Sequence, residues 1–528
     1  MNQSTTQRPG GISHRWLAMG SLTLALIAIG LDQTVLSLAL PTLANSLKAT
    51  ESQLQWFVTA YTLALAAAML PAGLLGDRYG RKTVLVGAIV MFGLMSIACA
   101  YAPDANTFIA ARTVLGVAGA ALMVMSLSVV TVLFSETERP RAMGIWAAGN
   151  FLALPLGPIV GGYVLAHFWW GWVFLMNVPV VVLGLAAVVA FVPQSRSEHR
   201  PSIDILGVLL SSTGLAVLMY GLVQAGDHGW VSSDAILPSI VAIAMLAVFV
   251  LWEARLTATP NGQPLVDLGL FRSRSFSVGV VLAGAGIFGM FGVLFALPQY
   301  LQAVMGFDVQ GAGLRFLPMI AGLIAGAVPA DRVAARIGAR VTVAIGFAIL
   351  AAGMIAGSAL TVSTGDGYIA AFTFVVGAGA GLGLATAVST AMVEISVERS
   401  GVGGALVQAV VKLGPAFGAS ILGSVLNDTY QSRVSVAGLP PQAVAAVHQS
   451  IFKALGVAGQ LGSPALAQSA RSAFVAGMDD ATRVAAAIAV LAMVGALAFL
   501  PRHSAAAPRP ALDGGAARDA SEAASPGG

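Results

Sequence analysis

Three formally charged side chains sit where the surrounding sequence is almost entirely apolar. Asp32 lies in Leu31-Asp32-Gln33-Thr34-Val35, inside an otherwise uncharged stretch from Trp16 to Leu40. Arg112 lies in Ala111-Arg112-Thr113-Val114-Leu115-Gly116-Val117-Ala118-Gly119. Lys412 lies in an apolar run with Gln408 one turn before it. A charge held in hydrocarbon is expensive, so each is read as facing a polar cavity through which an ion or substrate moves. A fourth arrangement, Gly73-Leu74-Leu75-Gly76-Asp77-Arg78-Tyr79-Gly80-Arg81-Lys82, sets one carboxylate among cations in a glycine-rich turn.

The elements that position these groups are membrane helices. Of 528 residues, 57% are hydrophobic and 9% charged, against about 25% charged in soluble chains. Fourteen apolar runs stand at about 16–40, 53–75, 83–102, 106–133, 141–166, 172–193, 204–224, 235–254, 275–303, 311–330, 340–361, 367–391, 402–426 and 482–500. Each is long enough to cross a hydrocarbon core of about 30 Å, and none alternates as a barrel strand does. The single cysteine, Cys99, falls in one of them, so no disulfide framework is expected. The first run is too long for a signal-peptide core and no cleavage site follows it. With the N-terminus in the cytoplasm, nineteen of the 27 Lys and Arg fall on the inner side and five on the outer. Both termini are therefore expected in the cytoplasm. The net charge of +4 reflects this bias, not affinity for nucleic acid. In that frame Asp32 lies roughly 24 Å past the inner end of its helix, and Arg112 roughly 9 Å inside the outer end of its own. Both fall in the outer third of the membrane, within reach of a direct or water-linked ion pair. Lys412 lies roughly 15 Å deep, near the midplane.

The loop at Gly73–Lys82 follows the second run, and Ala330-Asp331-Arg332-Val333-Ala334-Ala335-Arg336-Ile337-Gly338-Ala339-Arg340 follows the tenth. This weak repeat divides the chain into two six-helix halves, residues 16–193 and 275–500, with helices 7 and 8 inserted between them in 194–274. Residues 1–15 and 501–528 are expected as cytoplasmic tails, the second disordered by composition. Residues 427–481 read as an outer loop with short amphipathic helices at 442–457 and 465–478.

Taken together and in order, these motifs resemble the major facilitator superfamily, and within it the fourteen-helix drug:proton antiporter branch, across residues 15–500. Gly73 to Lys82 resembles the cytoplasmic-loop signature. Its Gly73, Gly76 and Gly80 allow close approach and a tight turn, and Asp77 among Arg78, Arg81 and Lys82 suits a conformational latch. Leu31 to Pro41 resembles the helix 1 motif, which implies proton coupling or cation binding at Asp32. The Arg112 segment resembles the helix 4 motif, which implies proton transfer, although Leu115 stands where the family often has Gln. Leu154-Pro155-Leu156-Gly157-Pro158-Ile159-Val160-Gly161-Gly162 resembles the antiporter motif of exporters, whose small residues permit close packing and whose proline bends the helix. Trp172 to Pro179 resembles the start of helix 6, with Gly171 where a basic residue is usual.

The resemblance implies an all-α integral membrane protein of fourteen transmembrane helices. It implies export of amphiphilic drugs, antibiotics or biocides across the cell inner membrane by alternating access, in exchange for protons. A monomer is expected, with no enzymatic activity. A dedicated exporter of one metabolite, lipid or siderophore is the alternative. Acidic residues that exporters of quaternary ammonium drugs carry in helices 2 and 13 are replaced here by Thr59, Gln408 and Lys412. The pocket is therefore expected to favour neutral, anionic or monocationic amphiphiles, and Lys412 as a structural strut is the other reading. Trp56, Tyr61, Asn150, Phe151 and Gln299 are further pocket candidates. No P-loop and no His or Cys cluster occurs, so neither ATP, a metal nor another cofactor is expected.

Overall fold

The computed structural model describes residues 12–49, 51–135, 138–195, 204–259, 264–393, 395 and 400–501. Its first five helices are α1 (Ile12–Ser46), α2 (Glu51–Tyr79), α3 (Arg81–Ala100), α4 (Ala105–Leu133) and α5 (Arg139–His167). The sixth apolar run is broken at Met176 into α6 (Trp172–Leu175) and α7 (Asn177–Phe191). Then come α8 (Ile205–His228), α9 (Ser233–Ala258) and α10 (Arg274–Gln299), the last prolonged by a π-helical turn at Tyr300–Val304. In place of one helix at 311–330 stand α11 (Val309–Leu314), α12 (Leu317–Ala327) and α13 (Ala330–Ile337), bent by 41° across Val328 and Pro329. The chain ends with α14 (Ala339–Gly357), α15 (Asp366–Val393), α16 (Ser400–Arg433), the short α17 (Pro441–Gln449) and α18 (Ile451–Gln460), and α19 (Pro464–Phe499). Among the described residues, twelve helices are long and apolar enough to cross a membrane, or thirteen if the bent pair is one span.

The packing order of the first part recurs in the last. In the first, α2 packs along α4, α1 along α5, α3 along α4, and α7 along α1 and α3. In the last, α12 packs along α15, α10 along α16, α14 along α15, and α19 along α10 and α14. The two loops singled out as a repeat turn on equivalent residues. Gly80 has φ 109° and Gly338 has φ 84°, a region in which a side chain is strained. Central helices α4 and α15 bury 83% and 72% of their apolar windows, whereas α9 buries 17% and leaves most of its apolar surface uncovered by protein. Its partner α8 lies against α2 and α16.

Polar residues start several of these helices. Asp104 accepts from the Asn106 and Thr107 amides at the head of α4, and Asp204 from the Gly207 amide at the head of α8. Ser273 and Ser463 do the same for α10 and α19.

Two boundaries differ from the sequence expectation. The segment expected as an outer loop at 427–481 is much shorter, because α16 runs on to Arg433 and α19 begins at Pro464. Asp479, Asp480 and Arg483 interrupt the hydropathy there without interrupting the helix. Arg483 reaches Asp479 at 2.7 Å and Asp480 at 3.4 Å, one turn apart. The helix expected at 442–457 is two, α17 and α18, separated by Ser450. The N-terminal tail to residue 11, the linker at 196–203 and the tail from 502 lie outside the described residues, as do the side chains of Phe151 and Pro158.

Candidate functional site

The helix pairs α1–α5 and α2–α4 bring Asp32 and Arg112 together. Arg112 Nη1 donates to Asp32 Oδ2 at 2.5 Å, and both residues are about 1% exposed. The same guanidinium donates through Nε to the Phe57 carbonyl at 3.2 Å and lies 4.4 Å from the ring centre of Tyr61. That ring adds a cation–π contact to the buried pair. Asp32 Oδ1 has no hydrogen-bond partner among the described residues. A buried ion pair with one carboxylate oxygen left over can take a proton on that oxygen, and protonation removes the charge that holds the guanidinium.

The glycines of α5 hold α1 at this level. A methyl at Gly157 would collide with Thr34 Oγ1, and one at Gly161 would lie 2.5 Å from Val35 Cγ1. Further along the seam, a methyl at Gly30 of α1 would collide with Ala153, and one at Gly149 with Thr23. Gly162 is buried beside them. The small residues therefore bring two helices to a separation no larger side chain permits, within one turn of Asp32.

A second cluster lies at the basic end of the bundle, where Arg15 reaches Glu138 at 2.7 Å and joins the heads of α1 and α5. Asp77 Oδ1 accepts from Arg81 Nε at 3.1 Å and Nη2 at 2.8 Å, and both side chains are buried. Asp77 Oδ2 accepts from the backbone amide of Val402, at the start of α16, at 3.1 Å. Asp77 thus pairs with a cation one turn along and also meets the start of α16, a helix N-terminus whose amides carry partial positive charge. Lys82 Nζ donates to the Val189 carbonyl at 2.8 Å, and Gly73 is buried in α2. Arg78 Cζ lies 5.6 Å from the Tyr79 ring centre. Gly80 leaves room for Gln194, which donates to Thr83 Oγ1 at 2.8 Å.

The remaining pocket candidates are spread over α2, α5, α10 and α16. Trp56 is 42% exposed, while its neighbour Phe57 is buried and gives its carbonyl to Arg112. Thr59 is half-buried and Asn150 buried. Gln408 is fully buried on α16, and neither amide atom has a hydrogen-bond partner among the described residues. Lys412 follows it by one turn and is half-buried. Gln299 stands apart, lining a cavity of 430 Å³ with Asn427 and Tyr430.

One polar cluster escaped the sequence reading. Glu253 on α9 is 0% exposed and accepts from the Val266 amide at 3.0 Å. Trp252 beside it donates to Asp204 Oδ2 at 2.8 Å. The signal was present as a carboxylate in the last residues of the apolar run at 235–254.

A family model for the Major Facilitator Superfamily matches residues 22–419, and the chain belongs to that superfamily. It is 34% identical over 501 residues to the multidrug efflux pump LfrA of Mycolicibacterium smegmatis, covering 93% of this chain and 96% of the relative. It is 31% identical over 519 residues to the tetracenomycin C resistance and export protein of Streptomyces glaucescens, covering 94% and 95%. Among solved structures, the human organic anion transporter MFSD10 matches with a TM-score of 0.59 at 13% identity, over 93% of this chain and 100% of that one, a likeness of fold.

Proposed function

We propose that this chain is a proton-coupled antiporter that exports amphiphilic drugs, antibiotics or biocides across the cytoplasmic membrane by alternating access. The observation that carries the reading is the buried Asp32–Arg112 pair, with one carboxylate oxygen unbonded and the α1–α5 glycine seam against it. Protonation of Asp32 from outside releases Arg112 and loosens the contact of α1 with α4, favouring one arrangement of the halves. Deprotonation toward the cytoplasm restores the pair. The Asp77–Val402 bond fastens α2 to α16 at the basic end and serves as the latch of that side. The relatives' roles in efflux and export support the direction of transport.

The proposed topology has fourteen spans. Helix α5 pairs with α1 as α16 pairs with α10, which adds it to the twelve and the bent pair. Residues 16–193 and 275–500 are the two halves, with α8 and α9 inserted between them, and the recurring pair order supports that division. The basic end faces the cytoplasm together with both termini, and the monomer is the working unit. The buried amide of Gln408, unpartnered among the described residues, and the adjacent Lys412 belong to the substrate pocket. Their chemistry suits neutral, anionic or monocationic amphiphiles better than dications.

The test is efflux of ethidium and norfloxacin from energised cells, with and without a protonophore, in wild type and Asp32→Asn. Loss of wild-type efflux on adding the protonophore, and its absence in Asp32→Asn, is the expected result. Normal efflux by Asp32→Asn removes the coupling role from that carboxylate. A second reading, export of a single metabolite, is favoured by the relative whose name carries one compound. Efflux of one compound from a broad panel would select it.

A further inference from the structure

Helix α16 carries Gln408, Lys412, Ala416, Ala419, Gly423 and Asn427 at spacings of three and four residues, which places them on one stripe. Beyond Lys412 the stripe forms one wall of the 430 Å³ cavity. Val223 and Gly226 of α8, Phe295 and Gln299 of α10 and Phe474 of α19 line it as well. Gln449, Ser450 and Ile451, where α17 meets α18, complete the lining of a cleft that stays partly open. The walls are tied to α16 by hydrogen bonds. Ser420 Oγ donates to the Leu222 carbonyl of α8 at 2.5 Å, and Tyr430 Oη donates to the Val447 carbonyl of α17 at 3.0 Å. The segment at 434–463 is thus docked onto the bundle and forms part of the enclosure.

The volume falls within the range of small-molecule sites, about 300–1,000 Å³. None of the lining residues is charged. Aromatic rings from α10, α16 and α19 face a set of amides and hydroxyls, a lining for flat ring systems that carry neutral hydrogen-bonding groups. Two glycines keep the space open. A methyl at Gly423 would meet only the Phe295 ring, at 3.5 Å, and one at Gly226 only Ser420, at 3.3 Å.

We propose that this cavity is an exit subsite for uncharged aromatic amphiphiles, with α8 of the inserted pair as its side wall and the 434–463 segment as its outer cap. The proposal rests on the reading of the chain as an exporter of amphiphiles. On that reading the uncharged lining offers no carboxylate to a cation, while neutral molecules pass along it. The inserted pair then has a task in transport, and the cap sets which molecules leave by this route.

The experiment compares efflux of chloramphenicol, uncharged and bearing an amide and hydroxyls, with efflux of the monocation ethidium, from energised cells at matched expression. Gly423→Leu adds bulk at the cavity wall, where the first added carbon meets only the Phe295 ring. Gly495→Leu, at a site on α19 with nothing within 4 Å, is the control. The ratio of chloramphenicol to ethidium efflux is expected to fall about tenfold in Gly423→Leu, as for a filled apolar pocket, and to hold in Gly495→Leu. An unchanged ratio in Gly423→Leu overturns the proposal. If wild type exports neither compound, the exporter reading fails, and the cavity is judged by equilibrium binding of chloramphenicol to the purified protein. Weaker binding in Gly423→Leu upholds the site, and equal binding overturns it.

Discussion

Asp32 and Arg112 are removed from water together, so deleting either leaves the other as a buried charge without its partner. Arg112→Ala is expected to lower stability in detergent by about 3–5 kcal/mol, measured by thermal or denaturant unfolding. The double variant Asp32→Ala with Arg112→Ala should recover much of that loss, because no lone charge remains. A double variant as unstable as the sum of the two single variants would mean the pair is not the source of the loss. On α16, Lys412→Ala is expected to raise efflux of a dication such as methyl viologen relative to a neutral substrate. Robust dication efflux by wild type, unchanged in Lys412→Ala, would sink the charge-repulsion account. Asp32, Arg112 and Lys412 were legible because a charge in an apolar run is visible one residue at a time. The Phe57 carbonyl and the Tyr61 ring at Arg112 were not, since nothing in the α2 sequence marks which of its faces meets α4.

At the scale of elements, the α1–α5 seam ties a packing motif to the ion pair. Gly157→Val should destabilise the protein by about 1–3 kcal/mol through overpacking against Thr34. Adding Thr34→Ala removes the colliding hydroxyl and should restore part of the loss, read by folded yield and unfolding midpoint. Equal stability of wild type and Gly157→Val would show that the helices are less close than described. Helix existence was readable here from apolar length alone, and helix ends were not. The Asp479, Asp480 and Arg483 cluster breaks the hydropathy of α19 but satisfies its own charges along the helix surface, so a continuous helix reads as a loop followed by a shorter span. The break at Met176 falls inside an apolar run without a charge to mark it, whereas the bend at Val328–Pro329 had its sign in the proline.

Across the whole molecule, the two parts repeat a pairing order but differ in how much backbone meets backbone. In the first part, the α5 glycines receive side chains, such as Thr34 and Val35 of α1, and Gly116 of α4 meets the Tyr61 carbonyl. In the last, backbone contact is concentrated on α15: a methyl at Gly322, Gly326, Gly377 or Gly381 would strike a main-chain atom across the α12–α15 contact, and one at Gly346, Gly353 or Gly379 would do so across α14–α15. Three helices in backbone contact make a stiff plate, because no side-chain rotamer is available to absorb a displacement. Hydrogen exchange followed by mass spectrometry should therefore find the slowest amides in α12, α14 and α15, and faster exchange in α9 and the α1–α5 seam. Slower exchange in the seam would reverse the assignment of the stiff part. The plate also constrains heredity. Every single-base missense change of a glycine codon adds at least a methyl, and at these positions that methyl meets main chain. Variation that alters drug range is thus channelled away from the plate and onto surfaces such as the α16 stripe, where Ala416, Ala419 and Gly423 border open space and new side chains have somewhere to go.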